Sequence, residues 1–228
     1  MKQNTLISDK RLKLHKWLFY LNVLLAIEMS SCVSTMIYQT AEVASNEEKF
    51  KVGVSYNDLQ RSNPADDSTF LGQKFDESSN TIFVRGVIVD SKWDFGLKYI
   101  PLGTAVGLDT KYAFMNNKVF AFAISTSYLY GEEYYDSGYV YINDLALMAL
   151  FTVKIANVLK PTFAPKVLYR YGAAFQQGPV QWVGYYATVA LDFGDVELLP
   201  AVEYLTDNNG SENLELGIAV TFNFSINK

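Results

Sequence analysis

A two-residue period begins at Lys49 and runs almost to the C-terminus, and it constrains this chain more than any other feature. Phe50, Val52, Val54 and Tyr56 alternate with Lys49, Lys51, Gly53 and Ser55, and Trp93, Phe95, Leu97 and Tyr99 alternate with Asp94, Gly96 and Lys98. The last run is the most regular, with Leu214, Leu216, Ile218, Val220, Phe222, Phe224 and Ile226 on one face. Successive side chains of a strand point to opposite faces, so each run is a strand with one bulky apolar side. The pattern predicts strands near 48–57, 81–89, 92–100, 103–115, 118–130, 138–153, 161–173, 179–193, 195–206 and 212–226. One run departs from it: Leu145-Ala-Leu-Met-Ala-Leu-Phe151 is apolar on both faces. Longer connections (58–80, 131–137, 174–178, 207–211) alternate with tight ones such as 90–91, Asn116-Asn117 and Gly194, although 101–102 is short where a long one is expected. An even set of strands joined in this way specifies an all-β, antiparallel, up-and-down barrel. No linker or repeat divides it.

Composition decides which face points out. Half of the residues are hydrophobic and 15% aromatic, yet mean hydropathy is only +0.04 and there is a single long apolar stretch, which excludes a bundle of membrane helices. The less apolar face carries Gly53, Gly96, Ala105, Gly107, Ala121, Ala123, Gly172, Gly184, Gly217 and Ala219. Small side chains fit a narrow interior, whereas the bulky face would overfill it, so the bulky face is expected against lipid. With the strands traced alternately up and down, Phe50, Phe114, Phe120, Phe151, Phe163, Phe193 and Phe224 fall at the short-turn end, joined by Trp93 and Tyr112. Tyr56, Tyr99, Tyr128, Tyr139, Tyr171, Tyr185 and Tyr204 fall at the long-loop end. Two interfacial aromatic belts would produce this sorting.

The interior then receives, by parity, Lys49, Lys51, Arg85, Lys98, Lys111, Lys166 and Arg170, and opposite them Asp94, Asp109, Asp144, Asp192, Glu197, Glu203 and Glu215. Buried charges are tolerable when paired and hydrogen-bonded, so the balance points to a structural charge network filling the lumen. The functional alternative is an ion or proton path or a narrow polar channel. Ten strands leave too little room for a wide pore.

The N-terminus has the form of an address. Lys2, Lys10, Arg11, Lys13 and Lys16 precede an apolar run, Trp17–Ile27, which matches a secretory leader and is short for a membrane span. Met29-Ser30-Ser31-Cys32 resembles a bacterial lipobox, which implies lipidation of Cys32. The expected organisation is a leader at 1–31, a short polar lipidated tether at 32–47, and a barrel domain at 48–228. The alternation over 48–226 resembles that of bacterial outer-membrane β-barrels. More narrowly, Cys32-Val-Ser-Thr-Met-Ile-Tyr-Gln-Thr-Ala-Glu42 followed by Phe50-Lys-Val-Gly-Val54 is similar to a group of lipobox-bearing barrel proteins. The resemblance implies an outer-membrane location, a lipid anchor and outer-membrane lipid as partner, and brings no activity with it.

The remaining chemistry is limited. A net charge of −5 and a pI near 5.0 argue against nucleic acid as a partner, and one cysteine excludes an internal disulfide. The only histidine, His15, lies in the leader. Surface proteases, phospholipases and lipid A deacylases, the enzymes that the barrel resemblance would suggest, use a histidine base beside Ser or Asp. No catalytic residue, cofactor or metal site is therefore assigned. Asp66-Asp67, and Glu132-Glu133 with Asp136, could hold Ca²⁺ or run carboxylate chemistry, but acidic loop clusters are usually just solvated. The expected function is a non-enzymatic outer-membrane barrel with a plugged or narrow lumen. Its role would be structural, or surface interaction with a protein or small solute through long loops such as 58–80 and the Tyr-rich 130–136. The alternatives are a narrow channel for small solutes or ions, and a periplasmic, lipid-anchored soluble barrel holding an apolar ligand. The sequence leaves the oligomeric state open.

Overall fold

Ten strands follow one another: β1 (Lys49–Ser62), β2 (Phe75–Val87), β3 (Trp93–Ile100), β4 (Ala105–Asn116), β5 (Phe120–Tyr135), β6 (Gly138–Val153), β7 (Leu159–Gly172), β8 (Val180–Asp192), β9 (Val196–Asp207) and β10 (Glu212–Ser225). The structure, a computed structural model, describes residues 36–42, 49–62, 75–87, 92–101, 105–135, 138–155, 158–172 and 179–225. Each strand pairs antiparallel with its sequence neighbours, and β1 pairs with β10, from Lys49↔Ser225 to Ser62↔Glu212, to close a barrel. Closure gives every strand two partners and removes the exposed edges that an open sheet must protect. One bulge, between Ala113 and Met115, interrupts the β4–β5 register near the short-turn end.

The alternation sorts the faces without ambiguity. Leu108 is 59% exposed, Leu147 50% and Ile218 46%, while the inward Ala105, Ala121, Ala123 and Ala219 are fully buried. Large apolar side chains cover the outside, while small and charged residues, with a few large apolar ones, face in, unlike a water-soluble barrel.

The wall is taller than the hydrophobic pattern suggests. Residues expected in the 58–80 connection belong partly to strands, because Leu59 pairs with Glu77 and Arg61 with Phe75. Glu132 and Glu133, expected in a loop, pair with Tyr141 and Val140 in the β5–β6 wall. Backbone ladders need no apolar face, so strand that projects beyond the apolar band has no hydrophobic period to show it. Asp66, Asp67 and Asp136 lie outside the described residues. The doubly apolar run in β6 divides cleanly: Leu145, Leu147 and Phe151 face out, and Ala146, Met148 and Leu150 face in.

Val54 sits between two paired strands, opposite Val220 and Ile82. Proline there removes a ladder donor and costs on the order of 3 kcal/mol. Val54→Pro is expected to lose the compact band that shifts on heating in gel electrophoresis, while the parent keeps it.

Candidate functional site

The barrel interior contains a segment of its own chain. Residues 36–42, which the sequence places in a polar tether, run through the lumen, with Met36 to Ala41 buried. Met36, Ile37, Tyr38 and Ala41 join one apolar cluster with Phe83, Met148, Leu150, Tyr186 and Leu199 of the wall. The inward Met148 and Leu150 of β6 are apolar where this segment packs on them. Tyr38 stacks on Phe83 with ring centres 6.2 Å apart, and its hydroxyl donates to Asn57 Oδ1. Two glycines make room for it: a Cβ on Gly53 would run into the Phe83 ring, and one on Gly217 would run into Tyr38 Oη.

The segment's polar groups find partners on several strands. Gln39 N–H donates to Tyr186 Oη at 3.3 Å, and its side-chain amide donates to Ser125 Oγ at 2.7 Å. Ala41 N–H donates to Thr152 Oγ1 at 2.8 Å. Lys98 Nζ donates to the Met36 carbonyl at 2.8 Å, and Lys111 Nζ to the carbonyls of Thr40 (2.8 Å) and Glu42 (2.6 Å). Such matching offsets part of the cost of laying a peptide backbone inside a barrel, although Gln39 Oε1 is buried without a hydrogen-bond partner. The Glu42 carboxylate lies 2.8 Å from both Lys154 and Lys160 at the short-turn rim. Burial pushes this carboxyl up, but the hydrogen bonds and charges of the two lysines outweigh it and hold the group below its usual value.

The inward charges meet across strands. Arg85 bridges Asp94 (3.3 Å) and Asp109 (2.5 Å), and Lys111 reaches Asp94 at 3.0 Å. Lys166 meets Glu203 at 2.7 Å, and Arg170 grips both oxygens of Asp144 at 2.8 Å. Lys51 pairs with Glu197 at 2.9 Å, and Asp192 pairs with Lys160. Glu215 is fully buried, and Lys98 holds the plug. The Lys49 side chain lies outside the described residues. Sequence parity missed Glu42, which belongs to the segment before β1, and Lys154 and Lys160, which sit just after β6 and at the start of β7. A signal for the segment was present in Met36, Ile37 and Tyr38, which are too apolar for a solvated tether.

Beside the segment at the short-turn mouth lies a cavity of about 550 Å³, lined by Lys51, Arg85, Asp94, Lys111, Glu197 and others. Among the described residues no group of three or more His, Cys, Asp or Glu is arranged to hold a metal ion.

On the outer face, Tyr56, Tyr99, Tyr128, Tyr171 and Tyr185 are exposed, as are Phe114, Phe151, Phe163, Phe193 and Phe224; Phe50, Phe120 and Tyr204 are half-buried. Ring contacts run Trp93–Tyr112–Phe114–Phe122–Phe151 round the short-turn side of β3–β6. Phe120 to Tyr128 and Phe163 to Tyr171 each span eight residues, about 20 Å along the axis for strands tilted by ~40°. The two groups are not separate everywhere, because Phe163 and Tyr185 touch with ring centres 6.0 Å apart. Cys32 and the side chain of Tyr139 lie outside the described residues.

No protein-family model matches the chain. No curated protein matches it by sequence. Solved structures do. An outer membrane channel from Pseudomonas putida F1 superposes with a TM-score of 0.54 at 8% identity, over 83% of this chain and 100% of that one. Neisserial surface protein A gives a TM-score of 0.43 at 13% identity over 77% and 97% of the two chains, and the NanC porin 0.40 at 14% over 75% and 98%. The fold is the closed barrel of outer-membrane proteins.

The Glu42 carboxyl binds its proton more weakly in the docked segment than in free chain. Its contribution is therefore full above the ordinary value of 4.5 and is lost as pH falls through the lower docked value. Hydrogen exchange at the Gln39 and Ala41 amides, corrected for intrinsic rate, should show protection falling in that acid range. Glu42→Gln should lower protection at neutral pH by about 1–2 kcal/mol and remove most of the acid dependence.

Proposed function

We propose that this chain is a non-enzymatic outer-membrane β-barrel whose lumen is held closed by residues 36–42. The observation that carries the reading is the buried segment, tied to Lys98 and Lys111 through its carbonyls and to Lys154 and Lys160 through Glu42. A plug fixed at several heights stops free diffusion through a narrow lumen, and the paired interior charges stiffen the wall around it. The exposed aliphatic and aromatic outer face supports a membrane setting, since water would not tolerate so continuous an apolar surface. The same face argues against a soluble barrel. The Phe-rich and Tyr-rich groups then serve as interfacial belts, and Cys32 as the lipid anchor. What remains outside the membrane is the long-loop end, with its tall β1–β2 and β5–β6 walls, and surface interaction would take place there.

A second reading is a gated narrow channel. It is favoured by the 550 Å³ polar cavity beside the plug, which already gives the short-turn side access to part of the lumen.

Planar-bilayer recording tests the closure. The parent should be silent, and a variant with residues 36–42 replaced by a Gly/Ser linker of equal length should show discrete conductance steps. Steady conductance in the parent would support the channel reading against closure. A silent but correctly folded linker variant would show that the wall alone closes the lumen. The membrane setting has its own test: Leu147→Arg, at an exposed position in the apolar band, should destabilise the barrel in lipid vesicles by about 2–4 kcal/mol.

A further inference from the structure

We propose that Glu42 occupies, from within the chain, a binding site for a small polyvalent oxyanion, and that such a solute displaces it from the short-turn side and loosens the end of the plug. The inference rests on the plug reading above. Its first support is that the Glu42 clamp is within reach of solution. The carboxylate lies 2.8 Å from Lys154 Nζ and 2.8 Å from Lys160 Nζ, yet its side chain is 22% exposed and those of the two lysines 14%. Deeper in the lumen, the side chains of the Lys166–Glu203 pair are 0% and 1% exposed. All three groups of the clamp line the 550 Å³ cavity at the short-turn mouth. A pair that solvent reaches is open to a competing anion, and a sealed pair is not.

The second support is the charge of the lining. Lys51, Arg85, Lys111 and Lys118 join Lys154 and Lys160, so six cations stand against four carboxylates, in a chain whose net charge is −5. With Glu42 displaced, the balance is six against three. A concave cationic site attracts and concentrates anions. The two lysine heads are also held by groups other than Glu42. Lys154 donates to Asn116 Oδ1 at 2.6 Å, and Lys160 donates to Asp192 Oδ2 at 2.9 Å. Ammonium groups fixed in this way are preorganised for an incoming oxyanion.

The class of competitor follows from the tether. Glu42 is attached to the segment, so its effective concentration at the lysines is on the order of millimolar, and a monocarboxylate does not replace it. A solute with several anionic oxygens, a phosphate ester or a tricarboxylate, holds both lysines and reaches a further cation of the lining. The cavity falls within the range of roughly 300–1,000 Å³ typical of small-molecule sites. Its wall includes the buried, inward Arg85, Asp94 and Lys111, so the ligand is a free solute rather than a lipid headgroup. Displacement removes two ion pairs but leaves Lys111 on the Thr40 carbonyl. The loosening is therefore local, at Ala41 and Glu42.

The test uses the full chain folded in detergent micelles, with citrate and glucose 6-phosphate as probes and acetate and glucose as comparators. Calorimetric titration is run at neutral pH and constant ionic strength. The parent should bind at least one probe and neither comparator. Glu42→Gln should bind that probe about tenfold more tightly, because the internal competitor is gone. Adding Lys154→Gln or Lys160→Gln to Glu42→Gln should undo the gain. Hydrogen exchange gives the second readout. The saturating probe should lower protection of the parent's Ala41 amide to the level of ligand-free Glu42→Gln, and leave Glu42→Gln itself unchanged. No probe binding, acetate binding as tightly as a probe, equal affinity of parent and Glu42→Gln, or a gain that survives the loss of either lysine overturns the inference. So does a bound probe that leaves Ala41 protection in the parent untouched. Heat-shifted gel migration confirms that each variant folds. Failure of the plug reading looks different: the Gln39 and Ala41 amides of the ligand-free parent would then exchange at their intrinsic rates, and both readings fall together.

Discussion

Ten closed strands set an interior of fixed girth, and the rest of the structure depends on how that space is filled. Small residues on the inner face leave room; they do not fill it. What fills it is a length of extended chain, and extended chain brings backbone donors and acceptors that must be satisfied away from water. The wall provides those partners from β3, β4, β5, β6 and β8. Two of them, Lys98 and Lys111, are long, flexible cations that can reach a carbonyl at the barrel axis.

The charge network and the plug are consequently one system. Lys111 divides its donors between Asp94 and the carbonyls of Thr40 and Glu42, and Lys160 divides its own between Asp192 and Glu42. Removing the segment would leave these lysines short of partners in a low-dielectric interior, where breaking part of a buried network costs more than the mean value of a surface pair. The two halves of the lumen are built differently. The short-turn half holds the segment by ion pairs and hydrogen bonds, which acid can weaken. Towards the long loops, Ile100, Leu129, Ile142, Leu168 and Leu205 add buried apolar side chains beside the Arg170–Asp144 pair.

Much of this was legible in the chain. The ten strands follow from period two, and the outward placement of Leu108, Leu147 and Ile218 follows from bulk. The apparent anomaly at Leu145–Phe151 was a sign of the plug, since an inner face carrying Met148 and Leu150 needs something apolar to pack against, and Met36, Ile37 and Tyr38 are a run of large apolar residues left unassigned upstream of the barrel. The height of the wall was less legible, because the backbone pairing of Glu132, Glu133 and Arg61 needs no apolar period to mark it.

The sequence by itself determined the strands, their order, the face each residue occupies and the lack of a histidine within the barrel. Those properties come from neighbours one or two positions apart, and local geometry dictates them. The tertiary structure alone decided which cation meets which carboxylate, and that residues 36–42 lie inside the barrel. The contacts that establish this join residues 62 positions apart (Met36 and Lys98), 86 apart (Gln39 and Ser125) and 147 apart (Gln39 and Tyr186). No periodicity encodes such distances; they exist only once β1 and β10 have met and the lumen has a fixed width.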